Sequence, residues 1–277
     1  MTDTAIITGG TGGMGLATAE LLGADHRIVL ADLDQTRIDA AVGELARLGI
    51  DATGIACDIT DRASVDALFA FAAQDDHHVR AVVHTAGVSP QMGDAALMAR
   101  INAIGTVHVA QAFLRVAGEG DALVTVASVA GHGLPKVLIP TRAFPLATSD
   151  PSGFVRIIAR RSGVLGKKLR SGLAYSFSKA FVIWYSRQQA AAFGARGARI
   201  VSVSPGSFDT AMGKLEADHG ASDLLKVSAI KRFGRPDEIA AVLAFAASTA
   251  PGYLTGTDIL VDGGTRAGTE FKRGTRR

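Results

Sequence analysis

The run Thr8-Gly9-Gly10-Thr11-Gly12-Gly13-Met14-Gly15 constrains this chain more than any other stretch. It follows a short β-branched run over 4–8 and opens a helical stretch over 14–22. A chain that leaves a strand and enters a helix over so few residues must turn sharply. Residues without a Cβ permit both that turn and a close backbone approach. The helix start beyond the turn offers unpaired N–H groups and the positive end of the helix dipole, which suit phosphate oxygens. Two spacings are met at once. Gly10, Gly12 and Gly15 give G-x-G-x-x-G, while Thr8, Gly9, Gly13 and Gly15 give T-G-x-x-x-G-x-G. In this context the loop is expected to bind a dinucleotide, with Gly9, Gly13, Met14 and Gly15 against the pyrophosphate.

The same alternation continues along the chain. Runs at 27–31, 52–56, 79–84, 123–127, 199–204 and 258–261 read as further strands. Stretches at 35–48, 64–73, 97–116, 175–193 and 236–247 read as helices, with Ile38, Val42 and Leu45 on one face of the first of these. Apolar strands alternating with helices predict an α/β fold: a single-domain, Rossmann-like, doubly wound parallel sheet of about seven strands, with helices on both faces. The domain is expected to span 1–265. Within it, 133–172 breaks the pattern and holds four of the eight prolines, so it reads as an insertion near the substrate site. Residues 266–277 form a basic C-terminal tail.

Charge is local rather than global. Residues 134–170 carry eight basic side chains against Asp150, and 266–277 carry five against Glu270, while the whole chain is only +3. The body is therefore acidic and no platform for nucleic acid, and no stacking aromatics accompany the basic segments. One cysteine, Cys57, excludes an internal disulfide and a cysteine-built zinc site. A reducing, cytoplasmic setting is expected. Asp3 and the early glycine loop leave no room for a signal peptide, and no apolar run reaches the roughly 18 residues of a membrane span.

Asp32 closes the second strand. A carboxylate there accepts both ribose hydroxyls of NAD and repels the extra phosphate of NADP. Residue 33 is Leu, and 10–12 contain no Arg or Lys for that phosphate, so NAD is the expected cofactor. Asp58, followed by Ile59, either binds the adenine amino group or serves as a turn or cap residue. Tyr175 and Lys179 stand i, i+4 and share a helix face. A free Tyr titrates near 10, and a nearby ammonium together with a cationic nicotinamide favours its phenolate, fitting it for proton transfer. Ser128, after the fifth strand, is placed to hydrogen-bond a substrate oxygen or to cap the strand end. Asn102 is placed to hold a helix distortion. His84 is expected to be a packed strand residue.

Taken in order, Thr8-Gly9-x-x-x-Gly13-x-Gly15, Asp32, Asp58, Ala86-Gly87, Asn102, Ser128, Tyr175-x-x-x-Lys179, Pro205-Gly206 with Thr210, and Asp262-Gly263-Gly264 resemble the short-chain dehydrogenase/reductase family over about 4–264. The resemblance implies a catalytic tetrad. Tyr175 exchanges the proton, Ser128 orients the substrate oxygen, Lys179 lowers the Tyr pKa and binds the nicotinamide ribose, and Asn102 supports a water relay. It implies that Pro205, Gly206, Phe208 and Thr210 lie against the nicotinamide, with Leu33, Ile59, Ala86 and Gly87 also contributing to the cofactor site. The family often has Asn before Ala-Gly where this chain has Thr85; that hydroxyl is expected to join hydrogen bonds at the sheet end. His132 is a further candidate for substrate contact.

The long segment before Tyr175, with Ala86-Gly87-Val88-Ser89-Pro90-Gln91, resembles the bacterial 3α-hydroxysteroid dehydrogenase/carbonyl reductases, which implies interconversion of a secondary alcohol and a ketone on a hydroxysteroid or other cyclic substrate. Asp150-Pro151 reads as a helix start, with Phe154, Val155, Ile157, Ile158 and Leu165 apolar and Arg156, Arg160 and Arg161 polar. Such a basic amphipathic helix either touches a membrane or partner or packs beside the active-site mouth, and the second is favoured. A homodimer or homotetramer is expected, with an atypical interface because the insertion obstructs the usual helix-to-helix contact. A non-catalytic NAD-binding sensor or scaffold of the same fold is the alternative, and it leaves Tyr175 without a purpose.

Overall fold

The computed structural model describes residues 3–164, 166–217 and 221–274. Seven strands, β1 (Thr4–Thr8), β2 (Arg27–Asp32), β3 (Ala52–Ala56), β4 (Val79–His84), β5 (Ala122–Val126), β6 (Arg199–Pro205) and β7 (Asp258–Val261), form one sheet in the order β3-β2-β1-β4-β5-β6-β7. Every pairing is parallel. The strand order reverses between β1 and β4, so a crevice opens there at the C-terminal ends of the strands.

Two apolar layers follow from strand alternation. Ile6, Val29, Val82 and Leu123 point to one face, where α3 (Arg62–Ala72), α5 (Thr106–Val116) and α8 (Lys167–Gly194) cover them. Ile7, Leu30, Val83 and Val124 point to the other, against α1 (Gly13–Leu22), α2 (Gln35–Arg47) and α10 (Pro236–Ala247). The doubly wound expectation holds.

Two elements depart from the sequence reading. The stretch read as helix over 97–116 is α4 (Ala95–Met98), a π-helical segment over Ala99–Gly105, and then α5. Asn102 lies inside the π segment, the helix distortion expected of it. Helix α8 starts at Lys167, two turns before Tyr175, so Tyr175 lies well inside a helix rather than at its end. The insertion holds two short 3₁₀ turns (Lys136–Leu138 and Thr141–Ala143), α6 (Leu146–Ser149) and α7 (Pro151–Ser162). The Asp150 side chain accepts from Gly153 N at 2.9 Å and caps α7, as Asp-Pro suggested. Phe154 and Ile158 are fully buried, Phe144 packs at 5.4 Å on Trp184, and Phe154 at 5.2 Å on Phe181 of α8. The Leu165 expected on that apolar side lies outside the described residues.

After β6 come α9 (Ala211–Ala217) and α10. The basic C-terminal stretch is helical where described, as α11 (Thr265–Gly274). Arg266 joins it to the body by donating to the His132 carbonyl, and it also pairs with Glu270 at 2.7 Å.

Candidate active site

A cavity of about 460 Å³ occupies the crevice at the strand ends, within the range of small-molecule sites. Gly9, Gly13, Met14, Gly15, Asp32, Leu33, Asp58, Ile59, Ala86, Gly87, Pro205, Gly206, Phe208 and Thr210 all line it, together with Ser128, Tyr175 and Lys179. One elongated space therefore joins every residue expected at the cofactor with three of the four expected at the chemistry.

The glycine end is tight by construction. Gly9 has φ +68°, and a Cβ there would stand 2.7 Å from Ala86 N. A Cβ on Gly15 would stand 2.5 Å from Gly9 O. These contacts fold the loop against the end of β4, and a Cβ on Gly10 would likewise stand 2.8 Å from Ile7 O, so glycines of both spacings are held tight. The Thr85 hydroxyl donates to Thr8 O at 2.8 Å, joining the sheet end as expected.

At the next strand, Asp32 Oδ2 accepts from the Thr11 hydroxyl at 2.5 Å and Oδ1 accepts from Leu33 N at 2.8 Å. Thr11 thus holds the carboxylate toward the cavity, a role sequence reasoning missed. Asp58 lines the cavity while its Oδ1 accepts from Thr60 N and Thr60 Oγ1, both at 2.8 Å, so it is also a turn residue. Arg37, equally unforeseen, reaches the same end. The crevice, the glycine cradle that added Cβ atoms would fill and the aimed carboxylate fit a nicotinamide dinucleotide.

At the other end, the hydrogen bond with Ser128 favours the Tyr175 phenolate, but it is outweighed. Burial pushes the phenol pKa above its ordinary value, and the Glu216 carboxylate adds to this. The lowering expected of Lys179 is tied to a cationic nicotinamide beside the phenol, and Lys179 is not among the causes of this upward shift. The ammonium lies 5.9 Å from the Tyr175 ring centroid and donates to Val126 O at 2.9 Å. Burial lowers Lys179 to about 8, while Glu216 opposes that fall.

Asn102 does not line the cavity; it stands one layer behind. Its Oδ1 accepts from Val88 N at 2.8 Å, and its Nδ2 donates to Val88 O at 3.0 Å and Ser178 Oγ at 3.1 Å. Ser178 in turn donates to Tyr175 O at 2.9 Å. Asn102 thereby ties the loop after β4 to the Tyr175 turn of α8. A Cβ on Gly87 would meet Asn102 Oδ1 at 3.1 Å and Lys179 Nζ at 3.4 Å, so bare backbone separates these two groups.

His84 is packed, as expected. It bonds the Thr8 and Thr106 hydroxyls at 2.6 and 3.1 Å, and burial, with Lys179 adding, lowers its pKa to about 3, so it stays neutral. His132 does not line the cavity; it bonds Asp258 at 2.8 Å and Ser204 at 3.2 Å. No described residue of 133–172 lines the cavity either. Ala159 of α7 packs on the same buried cluster, Ala95, Met98 and Ala174, as Val88 and Tyr175 do, so the insertion stands beside the site without lining the cavity. Val88, Met92, Ile101, Met212, Leu215 and Glu216 also line the cavity.

Known proteins share this arrangement. A family model described as short chain dehydrogenase matches residues 3–139, and one described as Enoyl-(Acyl carrier protein) reductase matches 156–266. A short-chain dehydrogenase/reductase, bsc3, of Alternaria brassicicola is 31% identical over 271 residues, covering 96% of this chain and 97% of that protein. D-threitol dehydrogenase of Mycolicibacterium smegmatis is 30% identical, with 94% and 91% covered. The crystal structure of a short chain dehydrogenase from Burkholderia cenocepacia in complex with NADP superposes with a TM-score of 0.76 at 25% identity, covering 96% of this chain and 98% of that one. With the fold, the loop and the Tyr-Lys pair in one crevice and full-length relatives at this identity, the chain belongs to the short-chain dehydrogenase/reductase family of oxidoreductases.

Proposed function

We propose that the protein is an NAD(H)-dependent alcohol dehydrogenase/carbonyl reductase that interconverts a secondary alcohol and a ketone. The observation that carries this reading is the placement of Tyr175, hydrogen-bonded to Ser128, and of Lys179 in the same cavity as the glycine cradle and Asp32. A bound nicotinamide would supply or accept the hydride at the carbon bearing the oxygen that Tyr175 serves. Ser128 orients the substrate oxygen, and the protonated Tyr175 gives its proton to that oxygen as a ketone is reduced, or takes it back as an alcohol is oxidised. Lys179 holds the nicotinamide ribose and offsets negative charge developing on Tyr175. Asn102 keeps the Tyr175 turn in register with the loop after β4.

Asp32 supports NAD over NADP, because its carboxylate would face the 2′-phosphate with like charge. Among the described residues Arg37 lines the cavity at the Asp32 end, so the preference is best measured with both cofactors. The apolar walls suit a hydroxysteroid or other cyclic frame. A cytoplasmic homodimer or homotetramer belongs to the same proposal, with its interface away from the Trp184 side of α8, which the insertion already covers.

The test is NAD-linked turnover over steroid, cyclic and aliphatic alcohols and ketones, with Tyr175→Phe alongside. Loss of turnover with retained NAD binding is expected, and full activity in the variant would overturn the assignment.

A further inference from the structure

A carboxylate stands among the apolar walls of the substrate end. Glu216, near the end of α9, lines the cavity with Tyr175, Ser128 and Leu215. Its Oε1 is buried and makes no hydrogen bond. Its charge acts on both Tyr175 and Lys179. A buried acceptor without a partner is unfavourable, more so when charged, and such groups in native structures usually have a purpose. Nothing in the proton transfer requires Glu216, since Ser128 and Lys179 already serve the reacting oxygen and the tyrosine. Packing does not explain it either, because a Leu or Met would fill that wall at no electrostatic cost.

Resting on the oxidoreductase reading above, we propose that Glu216 determines specificity, accepting a hydrogen bond from a second donor group on the substrate, a hydroxyl or a protonated amine, so that the substrate class is a cyclic diol, hydroxyketone or amino alcohol rather than a simple alcohol. The apolar walls of Val88, Met92, Ile101, Met212 and Leu215 hold the hydrocarbon frame. The donor satisfies the orphan oxygen and fixes which hydroxyl reaches Tyr175. Burial raises the Glu216 carboxyl above its usual range while Lys179 pulls it back. A donor, and an ammonium above all, favours the ionised form further.

The test compares cyclic mono-alcohols with matched 1,2-, 1,3- and 1,4-diols and amino alcohols, in the wild type, Glu216→Leu and Glu216→Gln. Two readouts are taken: kcat/KM with NAD, and dissociation constants from the enzyme–NADH complex by nicotinamide fluorescence. The wild type is expected to prefer one donor-bearing isomer over the mono-alcohol by about 10-fold to 100-fold, the range for a hydrogen bond to a charged group. Glu216→Leu is expected to collapse that ratio. Glu216→Gln separates the sources, because a neutral amide keeps part of the preference for a hydroxyl and loses it for an ammonium. No preference in the wild type, or the same preference in Glu216→Leu, overturns the assignment and leaves the oxidoreductase reading standing. Donor-selective binding that Glu216→Leu removes, without turnover of any substrate, supports Glu216 and overturns the oxidoreductase reading.

Discussion

Replacing Gly9 with Ala tests the tight apposition on which the cofactor site depends. The residue sits at φ +68°, and the left-handed conformation costs a non-glycine residue roughly 1–2 kcal/mol. The new methyl would lie 2.7 Å from Ala86 N and 2.8 Å from Ala86 Cα. Backbone at the end of β4 cannot swing aside as a side chain can, so an overpacking penalty of about 1–3 kcal/mol adds to the strain. The total, about 2–5 kcal/mol, corresponds to a fall in Tm of at least ~4 °C for a chain of this size. Any relaxation that relieves the clash moves the loop off β4 and spoils the pyrophosphate seat, so NAD affinity should fall as well. Gly43→Ala is the control. It lies inside α2, where an added Cβ meets nothing within 4 Å, and Ala there should raise stability by about 0.5–1 kcal/mol. Thermal unfolding with and without NAD reads both variants. If Gly9→Ala melts and binds NAD like the wild type, the contact between the glycine loop and β4 is not what holds the site.

Tyr175→Phe should lower turnover by about 10²–10⁴-fold, the usual contribution of a positioned proton donor, with NAD binding measured by titration unchanged. Asp32→Ala should weaken NAD binding and shrink the ratio of kcat/KM for NAD over NADP; an unchanged ratio would remove the ribose argument. Lys179 titrates at about 8 in the folded state and near 10.5 when exposed. Between those values the unfolded chain binds more protons, so stability should rise with pH from 8 toward 10.5, by on the order of 2 kcal/mol relative to Lys179→Met in denaturant melts. Phe154→Ala should cost about 3–5 kcal/mol, because the ring is fully buried against Phe181 and Phe144, and should lower activity by loosening the support behind Tyr175.

Much of the site was legible because its signals are local. Glycines at fixed offsets after a strand, an acid at the next strand end, and a Tyr and Lys one helical turn apart each state their geometry within a few residues. Asn102 was readable as a helix distortion, although its links to Val88 and Ser178 were not, since those partners belong to segments brought together only by packing. The start of α8 was misplaced because Lys167, Lys168 and Gly172 blur the helical pattern ahead of Tyr175, and tertiary packing overrides weak propensity there. The insertion was expected near the substrate site for its place in the chain, but its anchoring on α8 through the buried aromatics Phe144 and Phe154 was not legible, because those partners meet only in the folded packing.

Strand and helix order, the nucleotide loop and the chemistry-bearing residues were set by the sequence alone, since each rests on periodicity or short-range spacing. Only the tertiary structure decided what surrounds Tyr175: burial that raises its pKa, Lys179 held by the Val126 carbonyl, and Glu216 brought by α9 into the same cavity. These depend on the crossovers of a parallel sheet, which bring together residues distant in the chain, and on the loss of water around the charges they carry.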